Sequence, residues 1–101
     1  MIVLIDDDKL IRLSWTIQAK SKNLPIACFQ SIKEFLLQKD SFSFDTQIYI
    51  DSDLGGEKGE VEAELIFKLG FINITLCTGF IELDISQYPW ISKKISKRPP
   101  F

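Results

Sequence analysis

Ile2-Val3-Leu4-Ile5-Asp6-Asp7-Asp8 begins as an unbroken aliphatic run and stops abruptly at three aspartates. A strand that is apolar on both faces suits the interior of a parallel sheet covered by helices on either side. The same kind of run returns four times. Ile26 to Phe29 is a short second strand, and Gln47 to Ile50 a third that ends in Asp51. Phe71 to Cys77 is a fourth, ending at Thr78-Gly79, and Ile91 to Ser96 a fifth, followed by Lys97.

Helical patterns separate these strands. Asp8 is a suitable N-cap for a helix from Lys9 to about Lys22, in which Leu10, Leu13 (or Ser14) and Ile17 fall at helical spacing and are predicted to face the sheet. Ile11 and Trp15, an i,i+4 pair, lie on a different part of that helix and read as surface or partly covered residues. Asn23-Leu24-Pro25 breaks the helix. Ser31 caps a second helix through Gln38, with Glu34 completing a capping box and Ile32, Phe35 and Leu36 forming its apolar stripe.

Residues 40–46 read as a loop, as does Asp51 to Gly59 with its three glycines. Glu60 to Leu69 is a third helix, stopped by Gly70, with Val61, Leu65, Ile66 and Leu69 as its core stripe. Phe80 to Tyr88 is a weak helix before Pro89. The alternation βαβαβαβαβ predicts one α/β domain over residues 1–101, built on a parallel sheet with right-handed crossovers, in which ligands collect at the carboxyl ends of the strands.

Bulk composition narrows the function. A hydrophobic content of 46% supports a packed core. Twelve basic against fourteen acidic residues leave a net charge of −2, so there is no global basic field for nucleic acid, and the late basic residues Lys93, Lys94, Lys97 and Arg98 read as a solvated strand end. No apolar run approaches the roughly 20 residues that span a bilayer, and the early aspartates do not fit a signal peptide. The expected address is cytoplasmic, with no membrane and no direct nucleic-acid partner. The chain has no histidine, so Cys28 and Cys77 cannot form a Cys/His zinc site or a Cys/His catalytic pair and read as small core residues.

The residues that close the strands carry the chemistry: Asp6 and Asp7 after the first, Asp51 after the third, Thr78 after the fourth and Lys97 beyond the fifth. A parallel sheet brings these ends to one edge. Three carboxylates together repel one another, and burying them unpaired is costly. A hard divalent cation resolves this, and Mg²⁺, which takes a few carboxylates together with waters and phosphate oxygens, is the expected cofactor. A hydroxyl and an ammonium opposite could hold a phosphoryl group during transfer to a carboxylate, a reaction that is mostly positioning and charge neutralisation.

At these residues the chain resembles the receiver domains of bacterial response regulators, the CheY-like superfamily. Asp6-Asp7-Asp8 after an aliphatic strand looks like the family's acidic pair. Ile-Tyr-Ile-Asp51-Ser-Asp53-Leu-Gly-Gly-Glu-Lys-Gly59 is similar to its acceptor segment, with the glycine at the usual offset. Leu-Cys-Thr78-Gly79 matches the hydroxyl position followed by a small residue, and Ile95-Ser96-Lys97-Arg-Pro-Pro-Phe101 resembles the closing Lys-Pro-Phe.

The resemblance implies a doubly wound, flavodoxin-like sheet of order 2-1-3-4-5. It implies Asp51 as acceptor of a phosphoryl group from a histidine kinase or histidine phosphotransfer protein. Asp7 and Asp51 would ligate Mg²⁺ with the backbone carbonyl of Asp53, and Asp6 would bind through water. Thr78 and Lys97 would contact phosphoryl oxygens. Such a domain is a switch rather than an enzyme, with at most slow self-phosphorylation and autodephosphorylation. Asp8 reads as a cap rather than a ligand.

Four departures from the pattern stand out. Gly55-Gly56 replaces the family's usual proline, which loosens the acceptor loop. Arg98 follows Lys97 and offers an alternative register for the basic residue; Lys97 is preferred because Ile95 then points into the core. Lys94 stands where many receivers carry an aromatic, three residues before the lysine. The chain stops at Phe101, where the family continues into a fifth helix, so apolar surface near Trp15 is expected to be covered by a second copy or another protein.

Two other functions compete. One is a pseudo-receiver that docks or dimerises without being phosphorylated. The other takes Asp51-Ser-Asp53 as the Asp-x-Asp nucleophile of haloacid-dehalogenase-type phosphatases, which would leave Asp6 and Asp7 idle.

Overall fold

The computed structural model describes residues 1–80 and 82–101. Strand β1 (Ile2–Ile5), helix α1 (Lys9–Ser21), strand β2 (Ile26–Phe29), helix α2 (Ile32–Leu37) and a 3-10 turn at Lys39–Ser41 form the first half. Strand β3 (Gln47–Asp51), a short hairpin of β4 (Asp53–Leu54) and β5 (Glu57–Lys58), helix α3 (Gly59–Lys68), strand β6 (Ile74–Cys77) and strand β7 (Lys93–Ile95) follow. Five strands pair in parallel in the spatial order β2-β1-β3-β6-β7. Set aside the hairpin, and this is the 2-1-3-4-5 order. The order reverses between β1 and β3, which opens a crevice at their carboxyl ends.

The pairing register sorts side chains onto two faces. Val3, Ala27, Ile48 and Ile74 form one row and Ile5, Phe29, Ile50 and Leu76 the next. These rows, with Phe35, Ala63, Ile66 and Phe71, build the larger core cluster beneath α2 and α3. The alternate residues Ile2, Leu4, Tyr49 and Cys77 pack with Trp15 from α1 in a smaller cluster, which Ile95 and Phe101 border. Helix starts are capped as the sequence reads: the Asp8 carboxylate accepts from Leu10 N at 2.9 Å, and Ser31 Oγ accepts from Glu34 N at 3.1 Å.

Several expectations require correction. On α1 the predicted stripe is inverted: Leu10 is 74% exposed, Leu13 and Ile17 are exposed too, and Trp15 and Ala19 are buried. Residues 11, 15 and 19 form a seam as regular as 10, 13 and 17, and the large indole takes the sheet side. On α3, Val61, Leu65 and Leu69 are exposed, and only Ile66 of the expected stripe is buried, together with Ala63. A close approach of the helix start to β3 favours small residues on its inner face.

The Asp51 to Gly59 loop contains the β4–β5 hairpin. Its turn, Gly55-Gly56, has φ of 67° and 101°, the doubly positive pair that a two-residue primed turn needs. The expected helix from Phe80 to Tyr88 includes Ile81, which lies outside the described residues. Glu82 to Tyr88 forms turns, with Leu83 N donating to Phe80 O and Tyr88 N to Ile85 O. The fourth and fifth strands are shorter than expected. Cys77 is buried as read, whereas Cys28 is half-buried, and both thiols are free.

Trp15 does not lie on an open face awaiting a second copy. It is fully buried by its own chain, where Tyr49 packs at 5.1 Å between ring centroids and Phe101 edge-on at 5.6 Å. The sheet surface left open near β6 and β7 is lined by Gln47, Asn73, Thr75, Ser92 and Lys93 with Tyr49, so it is polar rather than bare apolar. No described helix is long and apolar enough to cross a membrane.

Candidate functional site

Four of the five strand ends deliver groups to the crevice: Asp6 and Asp7 after β1, Asp51 at the end of β3, Thr78 after β6 and Lys97 beyond β7. Asp6 follows β1, where its backbone N–H donates to Phe29 O at 3.0 Å and fixes the chain's exit. Its Oδ1 accepts from Asp8 N at 2.8 Å, while Oδ2 is buried without a partner. Asp51, the last residue of β3, is also buried, and Asp7 is exposed beside them. One carboxylate oxygen from each of Asp6, Asp7 and Asp51 lies within 4.8 Å of the others, and this is the one such grouping of acidic or other metal-binding side chains among the described residues.

Lys97 stands across the site with Nζ 3.1 Å from Asp51 Oδ1. At this distance the ammonium and the carboxylate form a close ion pair. The backbone holds Lys97 there: Thr78 N donates to Ile95 O at 3.0 Å, and the Trp15 indole donates to Lys97 O at 3.0 Å. Thr78, just past β6, is buried, and its hydroxyl accepts from Phe80 N at 3.0 Å.

Electrostatics follow from burial. Desolvation pushes the Asp6 carboxyl up to about 6, the Asp8 N–H opposing and the Asp51 charge adding to the rise. Burial also raises Asp51, against the pull of the Lys97 ammonium and of a hydrogen bond from Asp53 N–H. Burial lowers Lys97, but the charges of Asp51 and Asp6 outweigh it and hold the ammonium above its ordinary value. Burial, with the Asp51 and Asp6 charges, drives the Cys77 thiol up to about 12, which leaves it inert beside the acids.

The donor set fits a hard divalent cation. Three carboxylates converge, two of them (Asp6 and Asp51) with a buried oxygen that accepts no hydrogen bond, and Lys97, the one ammonium in contact among the described residues, balances one charge. Asp53 lies outside this grouping. Its side chain is exposed on the hairpin, and as the non-hydrogen-bonded partner of Lys58 its carbonyl faces away from β5. Arg98, exposed one residue beyond Lys97, is not in ion-pair contact with Asp51.

The acceptor segment is shaped by Gly59. A β-carbon there would stand 2.8 Å from the Asp51 carbonyl carbon and closer still to its oxygen, so only glycine lets α3 begin against the strand. A β-carbon on Gly55 would lie 3.4 Å from Asp7 Oδ2, which places the hairpin turn on the border of the acid group.

Sequence reasoning missed three residues near this edge. Trp15 positions Lys97 through its indole. Lys94 donates to Leu83 O and so ties β7 to the segment after Thr78. Glu60 is a buried carboxylate whose backbone carbonyl accepts from the Trp90 indole at 2.7 Å. Only Gly59 offered a signal for Glu60, since a helix start pressed on a strand must bury its next residue too.

None of the protein-family models and none of the curated proteins compared matches this sequence. Among solved structures the chain is similar to a response regulator receiver domain protein (CheY-like) from Methanospirillum hungatei JF-1. The TM-score is 0.68 at 17% identity, over 99% of this chain and 82% of that one. The chain therefore has the CheY-like receiver fold, in which Asp6, Asp7, Asp51, Thr78 and Lys97 share one edge of the sheet.

Proposed function

We propose that the chain is a phosphoacceptor signalling switch in which Asp51 takes a phosphoryl group from a phosphohistidine of a kinase or phosphotransfer protein. The observation that carries this reading is Lys97 Nζ at 3.1 Å from an Asp51 carboxylate that shares a 4.8 Å grouping with Asp6 and Asp7. In the transfer an Asp51 oxygen forms the new P–O bond as the P–N bond to the donor imidazole breaks. Asp7, Asp51 and the Asp53 carbonyl, with Asp6 through water, would hold Mg²⁺, whose charge would offset that of the transferring group. Lys97 balances a further phosphoryl charge. Thr78, close to the same edge, would exchange its Phe80 N–H contact for a phosphoryl oxygen and carry the change into the segment after β6.

The exposed stripe Leu10, Leu13 and Ile17 begins next to Asp8 at this edge and gives the donor protein an apolar surface to dock on. A pseudo-receiver is the second reading. It is favoured by Lys94, whose bond to Leu83 O pins the segment a phosphoryl signal would have to move. The phosphatase reading gains nothing from the geometry, because Asp53 lies outside the carboxylate grouping.

The test is incubation with Mg²⁺ and beryllofluoride or acetyl phosphate, comparing the natural chain with Asp51→Ala. A modified species or spectral change is expected only in the natural chain. The same change in Asp51→Ala excludes Asp51 as acceptor, and no change in either selects the docking reading.

A further inference from the structure

Beside the acid group, and sharing Ser52, Asp53 and Thr78 with its edge, a recess of about 360 Å³ opens between the β4–β5 hairpin and the segment after β6. Its lining sets three acids, Asp53, Glu57 and Glu60, against one base, Lys58, with Phe80 and Leu83 as apolar wall. Glu60 decides what the recess can hold. The residue is 5% exposed, and its Oε1 is buried with no hydrogen-bond partner. A buried carboxylate without a donor is costly, so it is retained where something else supplies the donor. The Trp90 indole is committed to Glu60 O and Lys94 donates to Leu83 O, while Lys58, Ser52 and Thr78 of the lining leave Glu60 Oε1 without a partner.

The spacing of the acids selects the ligand. Asp53, Glu57 and Glu60 do not gather oxygens within 4.8 Å as Asp6, Asp7 and Asp51 do, so one metal ion cannot serve them. A guanidinium can, because its donors fan out over two edges and its planar face and stem pack on aromatic and aliphatic side chains. Phe80, 60% exposed, is available for such stacking. The wall runs on into open surface at Phe80 and Gly79. That suits a side chain borne by a larger molecule better than a free small cation, which enclosed pockets engulf.

We infer that this recess receives the guanidinium of an arginine presented by a protein partner, with Glu60 as its principal anion and Phe80 as its stacking surface. The recess shares Asp53 and Thr78 with the proposed phosphoryl site, but its anchor Glu60 needs no phosphorylation of Asp51.

Amide NMR titration of the full chain with N-acetyl-arginine methylamide tests it, with the neutral citrulline analogue and agmatine as companions. Saturable shifts are expected at Lys58, Glu60 and Phe80, about tenfold weaker with citrulline, which loses the charge-assisted bonds. Glu60→Gln, which keeps the shape and removes an unpaired charge, and Phe80→Ala, at an exposed position, should each weaken binding while remaining folded. The proposal is overturned by any of four results: no saturable shift with the arginine amide, equal binding of citrulline, undiminished binding in Glu60→Gln, or agmatine binding about tenfold more tightly than the capped arginine, which would point to a free amine as ligand.

Discussion

The two faces of the sheet are built differently. Beneath α2 and α3, Val3, Ile5, Ile48, Ile50, Ile74 and Leu76 meet Phe35, Ala63, Ile66 and Phe71 in a continuous apolar layer. On the other side a single helix, α1, covers Ile2, Leu4 and Tyr49 through Trp15, and Lys97–Phe101 crosses what α1 leaves open. The first face is packed for stability. The second includes Trp15, which fixes the position of the lysine facing Asp51. Damage to the first face should therefore unfold the protein, whereas damage to the second should also displace a site residue.

The largest effect is expected from Gly59→Ala. The new β-carbon meets the Asp51 backbone, which cannot move aside without shifting β3. A loss of about 4 kcal/mol or more, at the exceptional end for one substitution, is expected in urea unfolding. A stable Gly59→Ala protein would show that α3 can start further from the strand than the structure has it.

Trp15→Ala should cost about 3–4 kcal/mol, the usual range for a buried large aromatic, and Phe35→Ala on the opposite face a similar amount. Only Trp15→Ala should also weaken beryllofluoride binding, because it removes the indole bond to Lys97 O. Equal loss of binding in both variants would erase the functional difference between the faces.

What the sequence made legible follows the same division. The strands and the Asp6, Asp7, Asp51 and Lys97 convergence could be read because each depends on short apolar runs and on what terminates them, whereas the strand order was implied only by the resemblance to receiver domains. The inner side of α1 could not. Leu10, Leu13 and Ile17 form as good a helical stripe as Ile11, Trp15 and Ala19, and the choice is made by Tyr49 and Phe101, contacts remote in sequence. The role of Trp15 was hidden for the same reason, its partner Lys97 being 82 residues away. Glu60 looks like an ordinary first-turn acid until the contact of Gly59 with β3 is known.

The acid group should give a smaller and reversible effect. Asp6 rises from 3.8 to about 6 on folding. The folded state therefore favours the protonated carboxyl, and the unfolded state binds fewer protons between those values. Stability of the metal-free protein should fall as pH rises through that window and level off above it, by roughly 3 kcal/mol for Asp6. Asp51, also raised, adds to the same trend. Asp6→Asn should flatten most of the slope, and saturating Mg²⁺ should reverse it by favouring the ionised carboxylates. A metal-free stability that climbs steadily with pH across this window would mean that the Lys97 ammonium, not desolvation, governs the group.

The smallest effect on stability concerns the open part of the second face, and it bears on why that face tolerates a single helix. Gln47, Thr75 and Lys93 stand in adjacent strands there, since Tyr49 pairs with Thr75 and Thr75 with Lys93. Polar side chains leave water an acceptable neighbour, so no partner is needed to cover them. The double variant Gln47→Leu/Lys93→Ile changes two exposed side chains and should alter stability by no more than about 0.5 kcal/mol. It should, however, create an apolar patch on an uncovered sheet and drive self-association, seen by light scattering at concentrations where the natural chain scatters as a monomer. If the natural chain already associates and the variant is no different, the polar surface is an interface in its own right, and the two faces are alike in being covered.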